Sequence, residues 1–166
     1  SDRSLSPITQ AVRDFYTLYP YPHLTEDLIG FRAGACLQYI RHVLWPWRSD
    51  LKGLKMLDAG CGTGATAVAA ALHNPEIEIT SLDLSPTSID RARALAAEKG
   101  VEARIRFLNM PIENVEQVGE KFDYINCVGV LHHLERPDDG LRALAGCLQD
   151  DGGMFLMLYG THGRAE

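Results

Sequence analysis

The sequence predicts an α/β domain on a doubly wound, mainly parallel sheet, and three observations carry that prediction. From residue 51 onward, apolar runs of strand length alternate with segments of helical period, the pattern of parallel strands joined by crossover helices. The first run, Met56-Leu57-Asp58-Ala59, leads into glycines at alternate positions, Gly60, Gly62 and Gly64, and then into an alanine-rich helix. Strand, glycine turn and helix open a βαβ unit that binds a nucleotide-like ligand. The second run ends in Asp83, 23 positions after Gly60, close to the roughly 20 residues that bring an acid onto the hydroxyl pair of a ribose.

Each element has its own signal. Ser6-Pro7 sets a capping hydroxyl before a proline, a helix start, and Ile8, Ala11, Val12 and Phe15 recur at helical spacing. The helix must stop near Tyr19-Pro20-Tyr21-Pro22-His23, where neither proline can continue it. This loop either pins the amino-terminal segment to the domain or closes its rings over a ligand. Thr25 caps a second expected helix, with Leu28, Ile29, Leu37, Ile40, Val43 and Leu44 on a broad apolar side, ended by Trp45-Pro46-Trp47. Asn74-Pro75 ends the alanine-rich helix, and Ile77, Ile79 and Leu82 form the second strand. Ser85-Pro86 repeats the cap-plus-proline start, with Ile89, Ala92, Leu95 and Ala96 buried and Gly100 as the stop. Ile105, Phe107 and Leu108 alternate with arginines as a half-buried third strand near a sheet edge. Phe122 to Val128 reads as a fourth strand. Pro137 opens a helix with Leu141, Leu144, Ala145 and Leu148 inward, and Asp150-Asp151-Gly152-Gly153 turns the chain into a fifth strand, Met154 to Leu158. Residues 1–50 read as a helical extension packed on a domain of residues 51–166.

At 166 residues the chain has room for a substantial core. A net charge of −6 argues against a whole-surface grip on nucleic acid, and no apolar run reaches the roughly 18 residues of a membrane span. Cys36, Cys61, Cys127 and Cys147 form no CxxC pair and read as reduced thiols of a cytoplasmic protein.

In a doubly wound sheet the ligand sits beyond the carboxyl ends of the strands, where strand order reverses. With the first strand central, the glycine turn, Asp83 and the loop after Val128 converge on that edge. The glycines supply unusual backbone angles and a surface that no Cβ obstructs. A nucleoside-bearing ligand follows. On the glycines alone a dinucleotide stays open, because Gly60, Gly62 and Ala65 fit the looser G-x-G-x-x-G/A form.

Leu57–Gly64 (LDAGCGTG), Ser81–Ser85 (SLDLS), Phe122–Leu134 (FDYINCVGVLHHL) and Asp150–Tyr159 (DDGGMFLMLY) resemble, in order and spacing, the successive motifs of class I S-adenosylmethionine-dependent methyltransferases. The resemblance implies a Rossmann-like methyltransferase fold and S-adenosylmethionine as methyl donor. By position it implies that Gly60, Cys61, Gly62 and Gly64 form the turn against the cofactor and that Asp58 holds its amino group. It implies further that Asp83 holds the ribose hydroxyls with Leu84 against the adenine, that Met110, Pro111 and Ile112 form the other wall of the adenine pocket, and that the carbonyl of Cys127 or its neighbour faces the methionine end. Pro111 falls where many relatives carry an aspartate, so the Ile112 N–H and apolar packing take over that contact.

Transfer from a sulfonium needs a general base only when the acceptor holds a proton, as a hydroxyl does. His132 and His133 are the candidates for that role, and Tyr16, Tyr19, Tyr21 and His23 for lining the acceptor pocket. No metal is called for. Relatives add two further strands, the last antiparallel, so the chain is expected to be the amino-terminal part of a longer protein, with an open sheet edge that a second copy could cover. The acceptor is unnamed, a small molecule or a protein being favoured by the acidic charge. The competing readings are a cofactor-binding module without turnover and an NAD-type oxidoreductase.

Overall fold

The computed structural model describes residues 5–22 and 36–160. The helices are α1 (Pro7–Leu18), α2 (Cys36–Leu44), α3 (Ala65–His73), α4 (Pro86–Glu98) and α5 (Pro137–Gly146). The strands are β1 (Lys55–Ala59), β2 (Glu78–Asp83), β3 (Ile105–Asn109), β4 (Phe122–Val128) and β5 (Leu148–Met157). They form one five-stranded sheet in the order β3-β2-β1-β4-β5, and every pairing is parallel. Successive strands step outward from β1 to β3, and the chain then returns to lay β4 on the other side of β1. That return creates the switch point between β1 and β4 at which a crevice opens.

Side chains alternate across the sheet, as the strand period requires. Met56, Ile79, Ile105, Phe107 and Tyr124 pack on one face with Leu37, Ala67, Ala71, Ile89 and Ala92 of the helices α2, α3 and α4. Leu57, Ala59, Leu82, Ile125 and Cys127 pack on the other with Leu144 of α5 and with Ile112 and Val115 of a 3-10 helix, Ile112–Val118. Both proline-opened starts form as the sequence predicts. Ser6 accepts from the Thr9 N–H at 3.2 Å, and Ser85 from the Ser88 N–H at 3.2 Å.

The structure differs from the sequence reading at three places. The fifth strand begins at Leu148, so Asp150–Gly153 is not a turn into it. Leu148 pairs with Phe122 and Gly153 with Tyr124, which makes the acidic-glycine stretch a wide bulge inside β5. Trp45 holds that bulge, its indole N–H donating to the Asp151 carbonyl at 2.9 Å. In α5 the buried positions are Gly140 and Leu144, while Leu141 and Ala145 are exposed. The phase is set by Gly140, where a Cβ would come within 3.0 Å of Leu131 and 3.1 Å of Leu134. In α1, Ile8 and Phe15 face outward, because the helix turns a different stripe to the protein. The expected start of the second helix at Thr25, with Leu28 and Ile29, lies outside the described residues.

Among the described residues β5 pairs with β4 alone and β3 with β2 alone. Phe155 and Leu158 are exposed along and just beyond β5.

Candidate functional site

A cleft opens at the carboxyl ends of β1, β2 and β4, over the β1/β4 switch point. Its floor is Asp58, Gly60–Gly62, Asp83 and Asn126. One wall is Leu84, Pro111, Ile112 and Glu113, and the opposite wall is Val128–Val130, His133, Leu134, Met157 and Tyr159. The roof is α1, which presents Thr9, Val12, Arg13 and Tyr16. These stand at i, i+3, i+4 and i+7, one face of a helix. Tyr21 and Pro22 continue the roof past the helix end.

The glycine turn is the tightest part of the site. Gly60, Gly62 and Gly64 have φ of +78°, +54° and +87°, the left-handed region that other residues adopt only at a cost. A Cβ at Gly60 would strike Val130, at Gly62 the Tyr21 carbonyl, and at Gly64 Ala92 at 2.7 Å. The glycines are therefore demanded by the close approach of the chain's own segments. The turn also spends its donors internally. Gly60 and Cys61 N–H donate to the Leu82 carbonyl at 2.8 and 3.0 Å, Thr63 N–H to the Tyr21 carbonyl at 3.2 Å, and Gly64 N–H to the Cys61 carbonyl at 3.0 Å. Gly62 N–H donates to Asp83 Oδ2 at 2.9 Å. A pyrophosphate is held at such turns by free backbone N–H groups. Every N–H from Gly60 to Gly64 already has a protein acceptor, which disfavours the dinucleotide alternative.

Thr63 Oγ1 donates to the Pro22 carbonyl at 2.8 Å. Together with the Thr63 N–H bond this latches the proline-punctuated loop onto the turn. Of the two sequence readings of that loop, these bonds show the pinning one. Thr63→Val keeps the shape and removes the hydroxyl, leaving a buried carbonyl short of a donor. It should cost about 1–2 kcal/mol, read as a lower urea midpoint at unchanged slope. An unaltered midpoint would show that the latch contributes nothing.

The cleft is rich in carboxylate. Asp58 is 2 % exposed and accepts from Asn126 Nδ2 at 2.8 Å, the two facing each other in register across β1 and β4. Asp83 accepts from Gly62 N–H and, through Oδ1, from Ser85 N–H at 2.8 Å. Burial pushes its carboxyl above the usual range, against the pull of those two bonds. Each Asp83 oxygen keeps a second lone pair with which to accept a ligand hydroxyl. Glu113 adds a third acid to the lining, and Arg13 adds a cation at the roof, paired with Asp14 at 3.6 Å.

Tyr16 Oη meets His133 Nε2 at 3.1 Å. His132 lies behind His133, tilted by 47° with ring centres 4.1 Å apart, and Tyr159 packs edge-on against His132 at 4.9 Å. Burial, and to a lesser degree Tyr159, Asp83 and Tyr21, raise the Tyr16 phenol. Burial and the neighbouring His132 lower the His133 imidazole. The thiols are quiet: burial raises Cys61 far up and Cys127 to about 12, so neither is a nucleophile near neutral pH.

A family model described as "Methyltransferase domain" matches residues 57–155. The chain belongs to that methyltransferase-domain family. It is 38 % identical over 171 residues to an uncharacterised protein of Synechococcus sp., covering 96 % of this chain and 39 % of that one. It is 33 % identical over 109 residues to a ubiquinone biosynthesis O-methyltransferase of Xanthomonas euvesicatoria pv. vesicatoria, covering 66 % of this chain and 44 % of that one. The chain thus matches less than half the length of these relatives. In fold it is similar to the plantazolicin methyltransferase BpumL, solved in complex with SAH, with a TM-score of 0.64, 18 % identity, and 91 % of this chain on 53 % of that one.

Within this methyltransferase domain the structure brings together most of the residues singled out in the sequence. Asp58, Gly60, Cys61, Gly62, Asp83, Leu84, Pro111, Ile112, Tyr16, Tyr21 and His133 all line the cleft. Four do not. Gly64 packs under α4, Cys127 turns its side chain into the core, its carbonyl being the atom the resemblance invokes, and His132 stands behind His133. Tyr19 is 64 % exposed and packs on Phe15. His23 lies outside the described residues. Asn126, Glu113, Tyr159 and the α1 residues Thr9, Val12 and Arg13 were not picked out. Asn126 had a signal, a polar residue within an otherwise apolar strand. The α1 stripe had a weaker one, Thr9, Arg13 and Tyr16 repeating at helical spacing beside the apolar positions Ile8, Val12 and Phe15.

Proposed function

We propose that this chain transfers a methyl group from S-adenosylmethionine to a small-molecule or protein acceptor, leaving S-adenosylhomocysteine. The observation that carries the reading is the cleft itself. Its carboxylates Asp58, Asp83 and Glu113 suit a ligand bearing a sulfonium and an ammonium, and its turn keeps no N–H for a phosphate. Asp58, steadied by Asn126, would hold the amino group. Asp83 would accept the ribose hydroxyls, with Leu84, Pro111 and Ile112 about the adenine. Gly60, Cys61 and Gly62 would face the cofactor through their backbone, and the Cys127 carbonyl would lie toward its methionine end. Bound there, the cofactor supplies an activated methyl group. The protein's own work is to orient the acceptor and exclude water, and the roof of α1, Tyr21 and Pro22 is suited to it.

In this reading the domain of residues 51–166 carries an amino-terminal extension, of which α1, Tyr21 and Pro22 roof the cleft and α2 packs against the sheet. The relatives, ubiquinone biosynthesis O-methyltransferases among them, support methyl transfer. The free, buried thiols of Cys61, Cys127 and Cys147 support a cytoplasmic setting. No described helix is long and apolar enough to cross a membrane. The open edge of β5 suits a second copy or further chain. The test is transfer of labelled methyl from S-adenosylmethionine by the full-length protein across phenol, carboxylate, amine and protein acceptors. Labelling of any acceptor class supports the reading. Saturable cofactor binding with no labelling in any class favours a binding module instead.

A further inference from the structure

Tyr16 and His133 form a polar couple that none of the cofactor roles uses. They come from opposite ends of the chain, 117 positions apart, and meet at 3.1 Å with both side chains in the cleft. We propose that Tyr16 and His133 form a proton-accepting pair, and that the methyl acceptor is an acidic hydroxyl on a planar unsaturated frame, a phenol or an enol. The inference rests on the methyl-transfer reading and adds the acceptor class to it.

The geometry sets the path of the proton. With His133 in the tautomer that carries its proton on Nδ1, the Tyr16 hydroxyl donates to Nε2, and an acceptor hydroxyl reaches that nitrogen through Tyr16. The acceptor proton passes to the Tyr16 oxygen as the Tyr16 proton passes to Nε2. The acceptor oxygen bonds the methyl carbon while the carbon–sulfur bond breaks, its electron pair staying on sulfur. One proton ends on His133, and the imidazolium balances the sulfonium charge that is lost. His133 later returns the proton to solvent.

The surroundings favour this direction. Facing the couple are Arg13 on α1, Tyr21 on the loop, Asp83 at the end of β2, Tyr159 beyond β5, and His132 behind His133. Burial and His132 keep His133 neutral, the state that accepts a proton. Burial keeps Tyr16 protonated, so it relays a proton instead of standing as a permanent tyrosinate. An imidazole of lowered basicity is matched to an acidic hydroxyl and poorly matched to an alkyl alcohol. Tyr16, Tyr21, Tyr159, Leu134 and Met157 supply flat and apolar walls that suit a ring.

The probe is 4-nitrophenol, whose phenolate has its own visible absorption band, added to the full-length protein saturated with S-adenosylhomocysteine. The wild type should lower the pH of half-ionisation of the bound probe by about one unit. His133→Gln and Tyr16→Phe should each abolish the shift while still binding S-adenosylhomocysteine. In turnover of phenolic acceptors His133→Gln should lose roughly 100-fold or more in kcat/KM, together with the rising limb of the pH profile. A purely structural role for His133 would not move that limb. A probe that ionises as in buffer, or a shift that survives in His133→Gln, overturns the proton pair and leaves methyl transfer standing. Failure of the wild type to bind S-adenosylhomocysteine at all overturns the reading on which it rests.

Discussion

Gly62→Val is expected to weaken S-adenosylhomocysteine binding by roughly 100-fold or more and to cost at least about 3 kcal/mol of stability. The residue has φ +54°, and a Cβ there would run into the carbonyl of Tyr21. A branched side chain pays the left-handed strain and also pushes the loop of Tyr21 and Pro22 off the turn. The bonds from Thr63 to those two carbonyls are then broken, and the cleft loses that part of its roof. Gly53→Val is the matched control, with φ +69° and nothing within 4 Å of its Cβ. It should show the backbone strain in its melting curve and bind normally. Equal binding losses in the two variants would mean that strain, not the contact with Tyr21, governs the site.

Asp83→Ala should weaken cofactor binding by about 1.5–3 kcal/mol, the scale of hydrogen bonds to a charged group. It should also loosen the turn, since Gly62 and Ser85 N–H lose their acceptor. Asp83→Asn keeps the shape but only one acceptor oxygen, so it retains one of the two turn bonds and should cost less stability than Asp83→Ala while binding falls. The folded-state pKa of Asp83 is raised. A raised carboxyl contributes stability below its unfolded value, and that contribution is lost as pH rises through the folded value. The ionised state needed for binding is therefore maintained at some cost to the fold. Acidification should weaken binding at a higher pH than an ordinary carboxylate would, and the Asp83→Asn variant should lack that step. Full affinity in Asp83→Ala would show that the ribose lies elsewhere.

The parts of this fold legible in the sequence are those governed by local rules. Ser6-Pro7 and Ser85-Pro86 cap their helices through contacts three residues apart, and β1, β2 and β4 are apolar runs bounded by turn residues. Asp83 could be placed at the cleft because strand order and the glycine turn dictate where β2 must end. What escaped depends on contacts distant in sequence. The bulge in β5 is held by Trp45, 106 positions away, and Asp150–Gly153 reads locally as a turn. The phase of α5 is set by the crowding of Gly140 against Leu131 and Leu134. The three glycines were legible as a turn, but the reason for each is an atom of Val130, Tyr21 or Ala92. Tyr16 was read as a pocket residue and His133 as a candidate base, yet their 3.1 Å contact is set by how α1 lies across the sheet, which no local pattern states.

The central claim is that the cleft over β1 and β4 binds a methyl-donor nucleoside and rejects a dinucleotide. Calorimetric titration with S-adenosylhomocysteine, and with NAD as control, tests it most directly. The account predicts one saturable site for the first, with a dissociation constant on the order of 1–100 μM, about −8 to −5.5 kcal/mol, and no heat from the second. Saturable binding of NAD with none of S-adenosylhomocysteine would contradict it.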